Sequence, residues 1–149
     1  MPTKAMKLGF DNKILQDDSL RNIRVNGKTV GFHVGIHLNY YRGLHVSCVE
    51  KLELKVDGQA LPEEQIIFGI NGKKFTLSQL KYLFSESWGV KTMASLEVYD
   101  GKGLGEGEHD VELILELRNE SMRFGPGEYG TIDGSARKTL TLQKEAIEL

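Results

Sequence analysis

Residues 29–56 read TVGFHVGIHLNYYRGLHVSCVEKLELKV, and the hydrophobic pattern of this stretch decides the fold class. From Val30 to Leu38 the chain alternates strictly, with Val30, Phe32, Val34, Ile36 and Leu38 on one face and Gly31, His33, Gly35 and His37 on the other. A period of two is the signature of a strand with one buried face. Glycine packs nothing in a strand and costs backbone entropy, so two glycines interleaved with two histidines predict a shallow outer surface with protruding imidazoles. Alternation resumes after the connection. Val46, Cys48, Leu52, Leu54 and Val56 oppose Ser47, Lys51, Glu53 and Lys55, and only Glu50 breaks the apolar series. Between the two halves lies Asn39-Tyr40-Tyr41-Arg42-Gly43-Leu44-His45, which is no routine hairpin sequence.

Working outward, Asn26-Gly27 precedes this stretch and Asp57-Gly58 follows it. Both are hairpin signals, because Asn, Asp and Gly tolerate the positive φ that tight turns need. Leu20, Ile23 and Val25 lead into the first turn. Ile66 to Ile70 reads as a short strand turned back by Asn71-Gly72 into Lys73, Lys74 and Phe75. Thr76 with Gln79 three residues on is a capping-box pattern, which predicts a short helix through Leu77, Leu80, Tyr82, Leu83 and Phe84. Strands are predicted over 92–99, 109–118 and 138–142. Residues 119–136, with Gly125, Pro126, Gly127, Gly130 and Gly134, read as one long loop, and 143–149 as a polar tail. Residues 1–18 read as an N-terminal arm around the apolar pair Ile14-Leu15. Short strands separated by turn signals predict an all-β fold, an antiparallel β-sandwich with one short helix, in a single domain over 19–149.

A chain of 149 residues is long enough for one core that buries roughly two-thirds of its unfolded surface. Nineteen basic residues stand against 21 acidic ones, a net charge of −2 with no basic block, so binding nucleic acid through phosphate neutralisation is not expected. Cys48 is the single cysteine, which rules out an internal disulfide and a multi-thiolate zinc site. The first residues lead into no apolar run of signal or membrane-spanning length, and a cytoplasmic protein without a membrane segment is expected.

Several constellations invite a chemical reading. Gly101, Gly103, Gly105 and Gly107 suggest a nucleotide loop, but Glu106 occupies the last glycine position and the run joins two strands. His33 and His37, four apart on a strand, lie about 13 Å from each other along its axis and cannot chelate one ion as a pair. Glu106, Glu108, Asp110 and Glu112 read as a solvated strand face. Cys48 falls on a core face, where a thiol is packing. Tyr40, Tyr41 and Arg42 differ in kind: adjacent amphipathic aromatics and a guanidinium are the residue types enriched at interface hot spots.

Across GFHVGIHLNYYRGLHVSCVEKLELKVDG, residues 31–58, the sequence resembles the small β subunit of bacterial C-glycoside deglycosidases. Ser87-Trp88-Gly89 and the run from Gly103-Leu104 to Gly107-Glu108-His109-Asp110-Val111 are also similar to that family, and the likeness spans residues 15–143. It implies a β-sandwich that assembles with a TIM-barrel α subunit. The α subunit would hold a divalent metal, commonly manganese, and the acid and base groups. The substrate it implies is a 3-oxo-C-glucoside of a flavonoid, cleaved at its carbon–carbon glycosidic bond by elimination, so the complex would be a lyase. No catalytic or metal-binding residue is assigned to this chain. Tyr40, Tyr41, Arg42, His33 and His37 become candidates for contact with the partner or for gating substrate, at the mouth of the partner's barrel.

Two other readings stand beside this one. A free-standing carbohydrate- or ligand-binding module would use Tyr40, Tyr41 and Trp88 as a stacking platform. A small metalloenzyme would use His33, His37 or His109.

Overall fold

The computed structural model describes residues 2–6, 11–126 and 128–149. Its strands are β1 (Pro2–Met6), β2 (Arg21–Val25), β3 (Lys28–Ile36), β4 (Leu44–His45), β5 (Val49–Val56), β6 (Gln59–Ala60) and β7 (Ile66–Ile70) in the first half. The second half adds β8 (Lys73–Thr76), β9 (Ser87–Trp88), β10 (Ala94–Val98), β11 (Glu108–Gly125), β12 (Glu128–Asp133), β13 (Ala136–Thr141) and β14 (Ile147–Glu148). Three turn dipeptides place the hairpins as expected. Asn26-Gly27, Asp57-Gly58 and Asn71-Gly72 all have positive φ at both residues, the type I′ geometry whose twist matches that of the flanking strands.

Two six-stranded sheets result. One has the order β1-β12-β11-β5-β6, with β13 also paired to β11; the other runs β14-β2-β3-β10-β7-β8. Pairing is antiparallel except where β1 joins β12 and β14 joins β2. Phe32, Val34, Ile36, Phe68, Leu96 and Val98 of the second sheet share one apolar cluster with Leu54, Val56, Val111, Leu113, Leu115, Leu117 and Ile132 of the first. This is a sandwich, with alternate residues of each strand turned to the common core. No helix among the described residues is long and apolar enough to cross a membrane.

Four expectations need correction. The predicted long loop over 119–136 is instead the far half of the 18-residue β11, a turn, and β12. Two of its glycines sit within paired backbone: Gly125 lies opposite Glu128 and Gly130 opposite Asn119, and the register shifts between Asn119 and Arg123, where one strand carries extra residues. The predicted short helix is a 3-10 segment, Leu77–Tyr82, entered as expected with the Gln79 side chain accepting from the Thr76 N–H at 2.8 Å. Only Leu80 of that segment is buried, too little apolar contact to sustain a longer helix. The polar tail contributes β14. In the segment read as an arm, Ile14 and Leu15 belong to the core, Leu15 bridges to Ile36, and residues 2–6 form β1.

Candidate functional site

The connection between β3 and β4 is held from inside. The Tyr40 ring is 5% exposed and its hydroxyl accepts from Asn119 Nδ2 on β11 at 2.9 Å. Burial, reinforced by the neighbouring Tyr41 hydroxyl and opposed by Asn119, keeps the Tyr40 phenol protonated to higher pH than usual. Asn39 is also buried; its Nδ2 donates to the Asp133 carbonyl at 2.9 Å, whereas its Oδ1 is enclosed with no partner. Gly43 is required by a close approach, because a Cβ there would stand 2.8 Å from the Trp88 carbonyl oxygen. Trp88 in turn is 1% exposed, packs edge-on to Phe68 at 5.5 Å and donates its indole N–H to the Thr92 carbonyl at 3.0 Å.

On this anchored base Tyr41 and Arg42 face outward. Tyr41 is 67% exposed, with its ring 4.4 Å from that of Tyr40 and the Arg42 guanidinium 5.7 Å from its centroid. Alongside runs segment 82–93, fastened by Val46 N–H to Glu86 O at 2.8 Å, Ser47 N–H to Leu83 O at 3.2 Å and the β4–β9 pairing. It exposes Tyr82, Phe84, Val90 and Met93. Together with Tyr41 these account for five of the seven exposed large hydrophobics among the described residues, so the apolar surface is concentrated at two adjoining segments. The sequence places Tyr82 and Phe84 in the apolar series of a short helix; they are exposed because only Leu80 of Leu77–Tyr82 is buried.

The histidines are dispersed. His33 does not protrude: it is 8% exposed, its Nδ1–H donates to the Ser19 carbonyl at 2.8 Å, and its Nε2 lies 3.1 Å from Ser95 Oγ. The segment around Ser19 and the Met93 side chain over Gly35 cover the face that the glycine pattern predicted to be open. His37 is half-buried; burial lowers its pKa, and Nε2–H donates to Gln16 Oε1 at 2.8 Å. With Gln16, Asn39, Tyr40 and Val90 it lines a cavity of about 430 Å³. His109 lies elsewhere, bonded to Asp57 and Gly105. Among the described residues no three His, Cys, Asp or Glu side chains are grouped so as to hold a metal ion.

Glu50, the break in the apolar series, receives Arg118 Nη1 at 3.1 Å and the Tyr129 hydroxyl at 2.9 Å. Residues 46–48 form a 3-10 turn ahead of β5, so strand alternation does not extend back through them. Cys48 is buried beneath Arg118, and burial pushes its thiol pKa up against the pull of that guanidinium.

The fold and surface thus define a β-sandwich module whose aromatic, cationic loop is rigidly presented but lies beside no assembled metal centre among the described residues. A model of the C-glycoside deglycosidase beta subunit family matches residues 10–120. The chain is 34% identical over 104 residues to a C-glycoside deglycosidase beta subunit of Eubacterium cellulosolvens, covering 69% of this chain and 71% of that protein. It is 28% identical to the corresponding subunit of Arthrobacter globiformis, over 79% and 86% of the two chains. A 3'-dehydrocarminate deglycosidase beta subunit of a Microbacterium species is 29% identical over 73% and 78%. The chain belongs to the C-glycoside deglycosidase beta subunit family.

Proposed function

We propose that this chain is the β subunit of a two-component C-glycoside deglycosidase and works, in the cytoplasm, only as a complex with a TIM-barrel α subunit. In this reading the α subunit supplies the acid and base groups and a divalent metal, commonly manganese; the described residues of this chain provide no ligand group that fits such an ion. The substrate is a 3-oxo-C-glucoside of a flavonoid. The ketone at sugar carbon 3 acidifies the hydrogen at carbon 2; a base removes it, the electron pair forms the carbon 1–carbon 2 double bond, and the aglycone leaves carbon 1 and takes up a proton. The name of the Microbacterium relative, which specifies a 3'-dehydro substrate, agrees with an oxidised sugar.

The observation that carries the reading is the exposed Tyr41–Arg42 pair, seated on buried Tyr40, in a connection that pairs with segment 82–93, where Tyr82, Phe84, Val90 and Met93 are exposed. Preorganised aromatics beside an arginine are suited to a protein contact. His37 lines a cavity with Tyr40 and Val90, whereas His33 and Tyr40 act from inside, by positioning. A sugar-stacking platform is less well supported, because Tyr40 and Trp88 offer no open ring face. Titration of the α subunit with the Tyr41→Ala/Arg42→Ala double variant tests the assignment. We expect a loss of affinity of about 100-fold, two hot-spot truncations acting together. Unaltered affinity and turnover would remove the loop from the interface.

A further inference from the structure

We propose that His109 is a proton-operated clasp that, as an imidazolium, ties the turn between β5 and β6 to the loop leading into β11, and releases that loop when it becomes neutral. His109 sits on the core-facing side of β11, one alternation before Val111, where the sandwich opens at its end. Its Nδ1 is 2.7 Å from Asp57 Oδ2 and its Nε2 is 2.7 Å from the Gly105 carbonyl oxygen. A carboxylate and a carbonyl only accept, so both contacts are hydrogen bonds only when both ring nitrogens carry protons. The neutral ring has one N–H. The charged carboxylate is the stronger acceptor and retains it, which leaves the Nε2 lone pair facing that of the carbonyl.

The surrounding groups favour the charged form. Asp57 is fixed by a second bond, from the Asp110 N–H to its Oδ1 at 3.0 Å. The Asp110 carboxylate is itself occupied by Arg137 of β13 at 2.7 Å, and Asp100 and Lys102 line the same cavity as His109. Burial alone would lower the pKa of His109, but Asp57 and the Gly105 carbonyl outweigh it and the net direction is upward; Asp57 is correspondingly depressed.

The released segment is a dividing wall. Leu104 lines both a cavity of about 530 Å³, with Glu106, Gly107 and Thr141, and one of about 520 Å³, with Asp57, Gly105 and His109. Asn22 holds Leu104 through two bonds of 2.8 Å, and Leu142 N–H holds the Gly107 carbonyl at 2.9 Å. Between those two permanent anchors the His109–Gly105 bond is the proton-dependent one. Gly107, with φ of +105°, gives the segment a pivot.

The test is a pH titration of the full chain, reading the His109 ring nitrogens and the amides of Gly105, Glu106 and Gly107 by NMR. Both nitrogens should be protonated at about pH 5.5, the midpoint should lie above the ordinary value of about 6.5, and the three amides should shift with that midpoint. His109→Gln should abolish the amide transition, and Asp57→Asn should move the midpoint down. If His109→Gln fails to fold, the wild-type and Asp57→Asn titrations still decide. A ring carrying a single proton at about pH 5.5, a midpoint at or below the ordinary value, an Asp57→Asn midpoint left where it was, or amides that do not follow the ring would each overturn the clasp.

Discussion

Tyr40 and Tyr41 are neighbours in sequence with opposite duties: the Tyr40 ring is buried and bonded to Asn119, while the Tyr41 ring rests against it and is 67% exposed. Tyr40→Phe removes the bond to Asn119 and should lower stability by about 1 kcal/mol, measured as a shifted urea midpoint. Tyr41→Ala should stay within about 0.5 kcal/mol of wild type, while weakening the contact with the partner. A reversed order would contradict the assignment of one ring to the core and the other to the surface. Cys48 gives a second check: buried, with its thiol pKa raised, it should react with a disulfide reagent in urea but not in the native protein. The residue types of the loop were legible in sequence, as was the core position of Cys48. What hid the burial of His33 was non-local, because the Ser19 carbonyl and Ser95 hydroxyl that satisfy it come from other segments.

Strands bounded by Asn-Gly or Asp-Gly were legible because the turn chemistry is local. β11 beyond Arg118 was not, because its extension depends on pairing with β12 across a bulge and its glycines and proline resemble loop composition. β1 and β14 are short parallel edge strands, recruited by neighbours distant in sequence. The glycines of β3 now have distinct explanations. A Cβ at Gly31 would overlap the Val98 carbonyl oxygen, backbone that cannot yield, whereas one at Gly35 would meet the sulfur of Met93, the flexible end of a side chain. Gly31→Ala should therefore cost about 3 kcal/mol or more and Gly35→Ala about 1 kcal/mol. Equal costs in urea unfolding would show that the space above β3 is set by something else. The His109 clasp adds a pH dependence with a definite sign. The raised His109 contributes stability that is complete below the unfolded-state value and lost as pH rises through its folded value. The depressed Asp57 contributes above its unfolded value and loses this as pH falls through its folded one. The clasp is therefore strongest in the mildly acidic window between the two.

The molecule is a sandwich in which five of the seven exposed large hydrophobic side chains among the described residues lie on one loop and the segment paired beside it. The two-sheet architecture followed from alternation and turn spacing; the clustering of the exposed residues did not, because it arises where segments 39–45 and 82–93 are brought together by the β4–β9 pairing. Family membership implies a partner subunit, and the proposed function assigns that surface to it. Co-expression with a TIM-barrel α subunit, followed by native mass measurement and turnover of a 3-oxo-C-glucoside by the separate and combined chains, tests this most directly. The account predicts a mixed complex of the two chains that releases aglycone, with this chain inert alone. Two chains that purify apart, or aglycone released by this chain on its own, would contradict it.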